Sequence, residues 1–158
     1  MSLPYRRPEV QAHCRILAES FQRLTGEPLA PGLAADDPDL ARTLYEMPQP
    51  LVAHGTEADP IFCYANRAAL TLWAMTWEEF TCLPSRLSAE PAADIQSDRD
   101  RYLAEAREKG WVADYNGIRI AATGQRFRIS RTRLWTVTDR DGGARGQAAL
   151  IGAWQPLG

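Results

Sequence analysis

Apolar residues in the first third of the chain recur at helical spacing. Between Pro8 and about Leu24 the apolar positions fall on one helical face: Val10, Ile16, Leu17, Phe21 and Leu24. Proline is accepted in a first helical turn, and Gly26 lies just past the predicted end. A connector rich in Pro, Gly and Ala follows. The stretch DPDLARTLYEM then predicts a second, shorter helix that begins at an acidic cap and stops before Pro48.

The next segment changes to short runs with the composition of strands. LVAH (51–54) and PIFCYAN (60–66) predict a hairpin, with GTEAD as the turn between them. Asn66 then predicts the cap of a short helix, RAALTLWA.

Two capping-box patterns predict further helix starts. Thr76 and Glu79 match the pattern in TWEEF, which predicts one more short helix. Ser97 and Asp100 repeat it, so we expect a longer helix to open there and to close at Gly110.

The last third alternates with the period of a strand. WVADYNGIRIAA, RFRISRTRLWTV and QAALIGAW predict three antiparallel strands in a meander, with a turn at Asp141 and Gly142.

The second of these strands has one irregularity in its alternation. Four apolar residues share one parity and predict one apolar sheet face: Phe127, Ile129, Trp135 and Val137. Arg131 and Arg133 interrupt the pattern. Either a bulge shifts the register there, or two guanidinium groups point into the concave side of the sheet.

The composition limits the classes of protein to which the chain can belong. Its 158 residues, 45% of them hydrophobic, suit one globular domain with a packed core. The net charge of -2 gives no general basic field, so direct binding to nucleic acid is not expected. Three cysteines without a CxxC pair are typical of reduced proteins. Without a secretion signal or a long uncharged apolar run in the sequence, we predict a cytoplasmic protein with no membrane span.

Reactive residue types gather around the predicted hairpin. His54, Glu57, Asp59 and Cys63 are all possible zinc ligands, but alternate residues of a hairpin face opposite sides, which favours a solvated polar turn. A Cys63 nucleophile with His54 as its base lacks an oxyanion motif and an orienting partner. We therefore predict no metal site and no catalytic residue, and we expect Cys63 to be a small core residue.

Arginines and tryptophans are each open to two interpretations. The arginines form either a solvated sheet face paired with acids such as Asp114, or guanidinium forks that recognise a carboxylate or phosphate. The tryptophans are favoured as core, although a half-open barrel lined by them would hold a planar ligand. The residues concerned are Arg119, Arg126, Arg128, Arg131 and Arg133, and Trp73, Trp77, Trp111 and Trp135.

The predicted order of hairpin, small helices, longer helix and meander resembles that of PAS domains. PIFCYANRAAL resembles the second strand and helix entry, TWEEF the following short helix, and DYNGIRIAATGQRFRISRTRLW the strand pair with its turn. More narrowly, HGTEADPIFCYANRAAL, WEEFTCLPSRLSAEP, DYNGIRI and GQAA together resemble the MEKHLA domain, a PAS-related family. The resemblance implies an α+β fold: a PAS-like five-stranded antiparallel sheet with helices packed on one face, plus an N-terminal helical extension. Residues 1–47 are assigned to the extension and 48–158 to the PAS-like domain, as one compact unit.

The resemblance also bears on cofactors and ligands. Light-sensing PAS relatives form a flavin adduct through an asparagine-cysteine-arginine string, whereas PSRLSAE places Ser85 before Arg86, and a hydroxyl cannot form the thioether. Neither His13 nor His54 is placed as the axial ligand of a haem-binding relative. No cofactor is therefore predicted. A small organic ligand is left open, with these possible lining residues: His54, Tyr64, Trp73, Arg86, Tyr115, Arg119, Phe127, Arg128 and Trp135.

Three functions follow from this resemblance and these residues. The leading hypothesis is a sensory or regulatory module that binds a small molecule or a protein partner and signals through dimerisation or association, with a homodimer expected. The alternatives are a small-metabolite enzyme on a PAS-like scaffold, with His54 and the arginines near its pocket, and a constitutive interaction module filled by its own tryptophans. The apolar stripe of the first helix would either cover the sheet or pair with a second copy.

Overall fold

A single antiparallel sheet forms the centre of the molecule in the computed structural model, which describes residues 3–158. Its strands are β1 (Leu51–His54), β2 (Phe62–Ala65), β3 (Trp111–Ile120), β4 (Arg126–Thr138), β5 (Ala144–Leu150) and β6 (Ala153–Leu157). The order across the sheet is β2-β1-β5-β4-β3, and β6 also pairs with β4. The predicted α+β class with a five-stranded antiparallel arrangement is confirmed, with β6 as an addition.

Within the described part of the chain, five α-helices surround the sheet: α1 (Pro8–Thr25), α2 (Leu40–Glu46), α3 (Arg67–Trp73), α4 (Trp77–Phe80) and α5 (Ala93–Lys109). Several predicted ends are confirmed. Pro8 opens α1 and Gly26 closes it with φ of 76°. The side chain of Asn66 accepts a bond from the Ala69 amide at the start of α3, and Thr76 and Glu79 form the capping box of α4.

The predicted start of α5 is wrong. The helix begins at Ala93, four residues before Ser97, and Ser97 and Asp100 are exposed positions inside it. The Gln96 side-chain amide donates to the carbonyl oxygens of Arg86 and Glu90, at 3.0 Å each. These bonds fix the first turn of α5 to the segment before it. The helix therefore starts at Ala93, and Ser97 does not act as its cap.

The two faces of the sheet are covered by different helices. We call the face that packs against α3, α4 and α5 the inner face, and the face that packs against α1 and α2 the outer face. The apolar stripe of α1 covers the outer face, where the ring of Phe21 lies 4.8 Å from that of Trp135. Of the two uses predicted for this stripe, covering the sheet is confirmed. Among the described residues, no helix has the length and apolar character of a membrane span.

A bulge in β4 reverses the faces of the residues that follow it. Arg131 adopts φ of 49°, and the alternation of buried residues shifts by one position there. Leu134 therefore joins Phe127 and Ile129 on the inner face, whereas Trp135 packs on the outer face. The predicted single apolar face was wrong, and the bulge is the correct explanation of the irregular pattern.

The same bulge divides the predicted last strand into two. QAALIGAW was expected to be continuous, but β5 ends at Leu150 and β6 begins at Ala153. A Cβ on Gly152 would lie 2.2 Å from the Arg131 carbonyl oxygen, so only glycine allows this approach of the two backbones. β5 pairs with the second half of β4 and β6 with its first half.

A second bulge lies in β2. Ala53 pairs with Tyr64 and His54 pairs with Phe62, which leaves Cys63 without a partner in β1. Phe62 consequently faces inward while Tyr64 faces the outer core.

Candidate ligand-binding cavity

A cavity of about 50 Å³ lies between the inner face of the sheet and the helical layer. Much of its wall is apolar, and several polar side chains converge on it from different elements. These polar residues are His54 of β1, Ser85 and Ser88 of the short 3₁₀ helix Ser85–Ser88, Arg99 of α5, Tyr115 and Arg119 of β3, and Gln147 of β5. A concave, mostly apolar space with a few convergent polar groups is typical of small-molecule sites, and sites for drug-sized ligands are larger than this one.

His54 faces the cavity as an uncharged imidazole. It is the last residue of β1 and lies opposite Gln147 in β5. Burial, the larger cause, and the nearby charge of Arg99 together lower its pKa to about 4. The neutral ring can therefore exchange hydrogen bonds with the polar cavity wall without adding positive charge.

Ser85 links His54 to α5. Its Oγ lies 3.0 Å from Nδ1 of His54 and accepts a 2.6 Å bond from Nη2 of Arg99. The arrangement is satisfied when the Ser85 hydroxyl donates to Nδ1, which leaves the imidazole proton on Nε2. The 3₁₀ helix and α5 are thus joined to the sheet through polar contacts at the cavity wall.

Arg119 enters the cavity from the edge strand β3. Its guanidinium donates to the Ile118 carbonyl oxygen at 2.7 Å and to the Tyr115 hydroxyl. A Cβ on Gly117 would lie 2.6 Å from Nη1 of Arg119, so the absence of a side chain at position 117 makes room for the guanidinium.

Trp73 fills the side of the inner core next to the cavity. Its indole nitrogen donates to the Ser88 carbonyl oxygen at 3.3 Å, and its ring packs edge-on against Phe80 and Phe127. Phe127 lies in the same buried cluster behind this ring. Aromatic residues therefore occupy part of the space between sheet and helices and leave a small cavity.

The structure brings together four of the nine predicted lining residues: His54, Trp73, Tyr115 and Arg119. Tyr64 and Trp135 lie in the outer core, because each follows a bulge that reverses its face. Arg86 and Arg128 are exposed, and Arg86 pairs with Asp59. Phe127 packs against Trp73 without lining the cavity.

Four polar lining residues were not among the predicted ones: Ser85, Ser88, Arg99 and Gln147. The spacing of Arg99 with Leu103 and Ala106 was an available signal, because residues four and three positions apart share one face of a helix. Ser85 and Gln147 carried no comparable signal in the sequence.

Two of the other four arginines of the meander form surface ion pairs. Arg126 pairs with Glu90 and Arg133 with Glu27, while Arg131 is exposed at the bulge. Both acidic partners are glutamates, and neither is Asp114, the partner suggested by the sequence. Among the five arginines, only Arg119 is buried.

Cys63 is not a core residue, contrary to the prediction. The bulge places it at the surface, where its Sγ lies 3.9 Å from Nε2 of His13 in a groove beside α1. Desolvation raises the pKa of the Cys63 thiol to about 11 and lowers that of His13 to about 4, so the two groups face each other uncharged. The raised pKa disfavours the thiolate form of Cys63 near neutral pH.

The four possible zinc ligands of the hairpin are dispersed. His54 faces the inner cavity, Cys63 faces the groove beside α1, and Asp59 pairs with Arg86. The Glu57 carboxylate accepts a hydrogen bond from the Ile61 amide, so its role is to stabilise the hairpin turn. Residues 3–158 contain no cluster of three or more His, Cys, Asp or Glu able to hold a metal ion.

The sequence matches the model of one known protein family. The model of the MEKHLA domain matches residues 11–156, nearly the whole chain. The chain belongs to the MEKHLA domain family. No curated protein matches this MEKHLA domain in sequence.

Solved PAS and light-oxygen-voltage domains share the fold of this MEKHLA domain at low identity. A PAS domain from Colwellia psychrerythraea gives a TM-score of 0.60 at 13% identity, covering 74% of this chain and 92% of that chain. A light-oxygen-voltage domain studied with a flavin analogue gives 0.59 at 17% identity, covering 79% and 89%. The light-state dimer of the fungal blue-light photoreceptor Vivid gives 0.59 at 14% identity, covering 85% and 90%. The fold is therefore PAS-like, and it is a fold that sensory domains use.

A flavin or a haem does not fit the cavity of this MEKHLA domain. Sites for ligands of drug size enclose roughly 300 Å³ or more, and this cavity encloses about 50 Å³. The rings of Trp73, Phe80 and Phe127 occupy neighbouring space in the inner core. Ser85, the residue that faces the cavity at the string resembling the flavin-adduct motif, carries a hydroxyl in place of a thiol.

Proposed function

We propose that this MEKHLA domain is a sensory or regulatory module whose small-molecule ligand binds in the cavity between the inner sheet face and α5. One observation carries the proposal: seven buried polar side chains from five separate elements converge on one unfilled space. They are His54, Ser85, Ser88, Arg99, Tyr115, Arg119 and Gln147. Burying polar groups costs free energy unless they are bonded, so an inert core would more readily be apolar.

The position of the cavity supports a sensory role. Its wall includes Ser85 of the 3₁₀ helix, Arg99 of α5 and residues of five strands. A ligand would contact helix and sheet together, and its differential affinity for two arrangements of these elements would shift their populations. Such a shift is the physical basis on which occupancy could change association with a partner.

Two alternatives have less support. An interaction module with a self-filled core does not account for the two buried guanidiniums at an open space. An enzyme using His54 as its general base would need a group that accepts a proton at neutral pH, whereas the pKa of His54 is about 4.

Ligand binding is tested by native mass spectrometry of the purified protein and by thermal shift with a panel of metabolites. A ligand at about 100 times its Kd stabilises the fold by about 2.7 kcal/mol. That gain corresponds to a rise in Tm of about 5–10 °C for a domain of this size. If nothing co-purifies and no metabolite raises the Tm, the sensor proposal is refuted.

Dimerisation is the second part of the proposal. Vivid, a structural neighbour of comparable length, is described as a light-state dimer. Light scattering over a range of protein concentrations, with and without a bound metabolite, would detect a homodimer. A monomer mass under all conditions would exclude signalling through self-association.

A further inference from the structure

Two buried guanidiniums face the cavity without a buried acid beside them. The exposed fraction is 7% for Arg99 and 3% for Arg119. Within the described residues, Arg99 forms a salt bridge only to Asp100, at 3.8 Å, and the side chain of Asp100 is 73% exposed. Arg119 forms no salt bridge with any of the described residues. Since arginine stays protonated in proteins, both side chains bring a positive charge into the interior.

The observed partners of these guanidiniums are neutral oxygens. Arg99 donates to the Ser85 hydroxyl, and Arg119 donates to the Ile118 carbonyl and the Tyr115 hydroxyl. A guanidinium offers five N–H donors in a planar fork, so each retains donors beyond these bonds. Neutral oxygens satisfy single donors, but they do not compensate a buried charge, which is costly unless it is paired.

The rest of the cavity wall carries no negative charge. Among the described residues that line it, none is Asp or Glu, and His54 is neutral. The remaining wall is mainly aliphatic and aromatic, as at Val52, Leu103, Ile129 and Ile151. A matching ligand therefore has one anionic end for the arginines and a short apolar remainder.

We propose that the cavity binds a short-chain carboxylate, whose carboxylate group accepts hydrogen bonds from Arg99 and Arg119 and whose carbon chain contacts the apolar wall. This inference rests on the proposed function and specifies its ligand class. Planar guanidinium forks match the two oxygens of a carboxylate. A water occupies on the order of 10–15 Å³ of such a space, so a cavity of about 50 Å³ has room for a ligand of a few non-hydrogen atoms.

Paired ligands test the charge requirement. Acetate, propionate and butyrate are compared with acetamide, propionamide and butyramide, which have nearly the same size and no charge, by thermal shift and calorimetry. Stabilisation by the carboxylates alone supports the inference. Equal stabilisation by the amides, or equal stabilisation by inorganic phosphate, overturns it while the proposed cavity function stands. If neither these compounds nor any metabolite binds, the proposed function itself fails.

Variants of the two arginines test the site. Arg99→Met and Arg119→Met keep length and remove charge, so each should weaken carboxylate binding by about tenfold or more. Arg101→Met is the matched control on the same helix, because Arg101 is exposed and bonds Asp98 at the surface. Arg101→Met should bind the carboxylates with the same affinity as the unchanged protein. Carboxylate affinity that survives both buried-arginine variants would refute the proposed contacts.

Folding of these variants gives an independent readout. Replacing an uncompensated buried charge by an apolar side chain is often neutral or stabilising. Without ligand, Arg119→Met should therefore melt at the same temperature as the unchanged protein or higher. If it does not fold, Arg119→Lys keeps the charge without the planar fork and should still lose affinity about tenfold. Unchanged affinity in Arg119→Lys would contradict recognition through the fork.

Discussion

The imidazole of His54 is surrounded by groups that favour its neutral form. Burial lowers its pKa to about 4, and the positive charge of Arg99 acts in the same direction. Gln147 and the carboxylate of Glu57 oppose this shift to a smaller extent. The unfolded chain lacks this environment, so its histidine titrates near 6.5. Protonation of His54 is therefore linked to unfolding, as is that of His13, whose pKa is also lowered to about 4.

We predict that stability falls as the pH is lowered from about 6.5 to about 4. In that window the unfolded state binds a proton at His54 and the folded state does not, so the part of the loss that comes from His54 is about 2–3 kcal/mol at pH 4.5. Above pH 6.5 this contribution is constant. Urea unfolding at both ends of the window measures the loss, and His54→Gln should reduce it. An identical pH dependence in His54→Gln would exclude His54 as the source.

Two bulges decide which residues of the strands reach the cavity. The bulge at Arg131 sends Trp135 to the outer core, and the bulge at Cys63 does the same for Tyr64. Alternation along the sequence predicts faces correctly only up to such a point, because one extra residue reverses every face that follows. The irregular arginine pattern at 131 and 133 was a visible sign of the first bulge, whereas nothing marked the second.

Arg131→Gly should stabilise the protein. A non-glycine residue with φ of 49° bears a steric cost of about 1–2 kcal/mol that glycine avoids. Because the Arg131 side chain is exposed, its removal takes away little stabilising contact. We therefore expect a net gain of about 1 kcal/mol in the free energy of unfolding. Arg128→Gly, in the regular part of the same strand, should instead destabilise by about 0.5–1 kcal/mol. Equal destabilisation in both variants would argue against the strained bulge.

At the scale of the whole molecule, the N-terminal helix and the sheet form one core. The outer face of the sheet buries Trp135 and Val137 against α1 and α2, so the division between residues 1–47 and 48–158 is not a boundary between separate cores. Leu17 and Phe21 of α1 are almost fully buried against this face. We expect both sides of the sheet to unfold in one cooperative transition.

Phe21→Ala tests this cooperation. Removing a buried aromatic ring costs about 3–5 kcal/mol, a large fraction of the stability of a typical domain. Circular dichroism and tryptophan fluorescence should shift together to lower denaturant, because α1 and the sheet unfold as one unit. Gln22→Ala, at the exposed neighbouring position, should change stability by less than about 0.5 kcal/mol. Loss of helix signal before the fluorescence transition would show that α1 folds separately.

The sequence by itself determined the class of fold, the family and most of the helix ends. These follow from local signals: helical spacing in α1, the Asn66 cap, the capping box of α4 and glycine at the end of α1 and α5. Only the tertiary structure decided the cavity. Its arginines come from α5 and β3, its serine from a 3₁₀ helix and its histidine from β1. Their meeting depends on packing and on bulges, which shift by a single residue what alternation alone would predict.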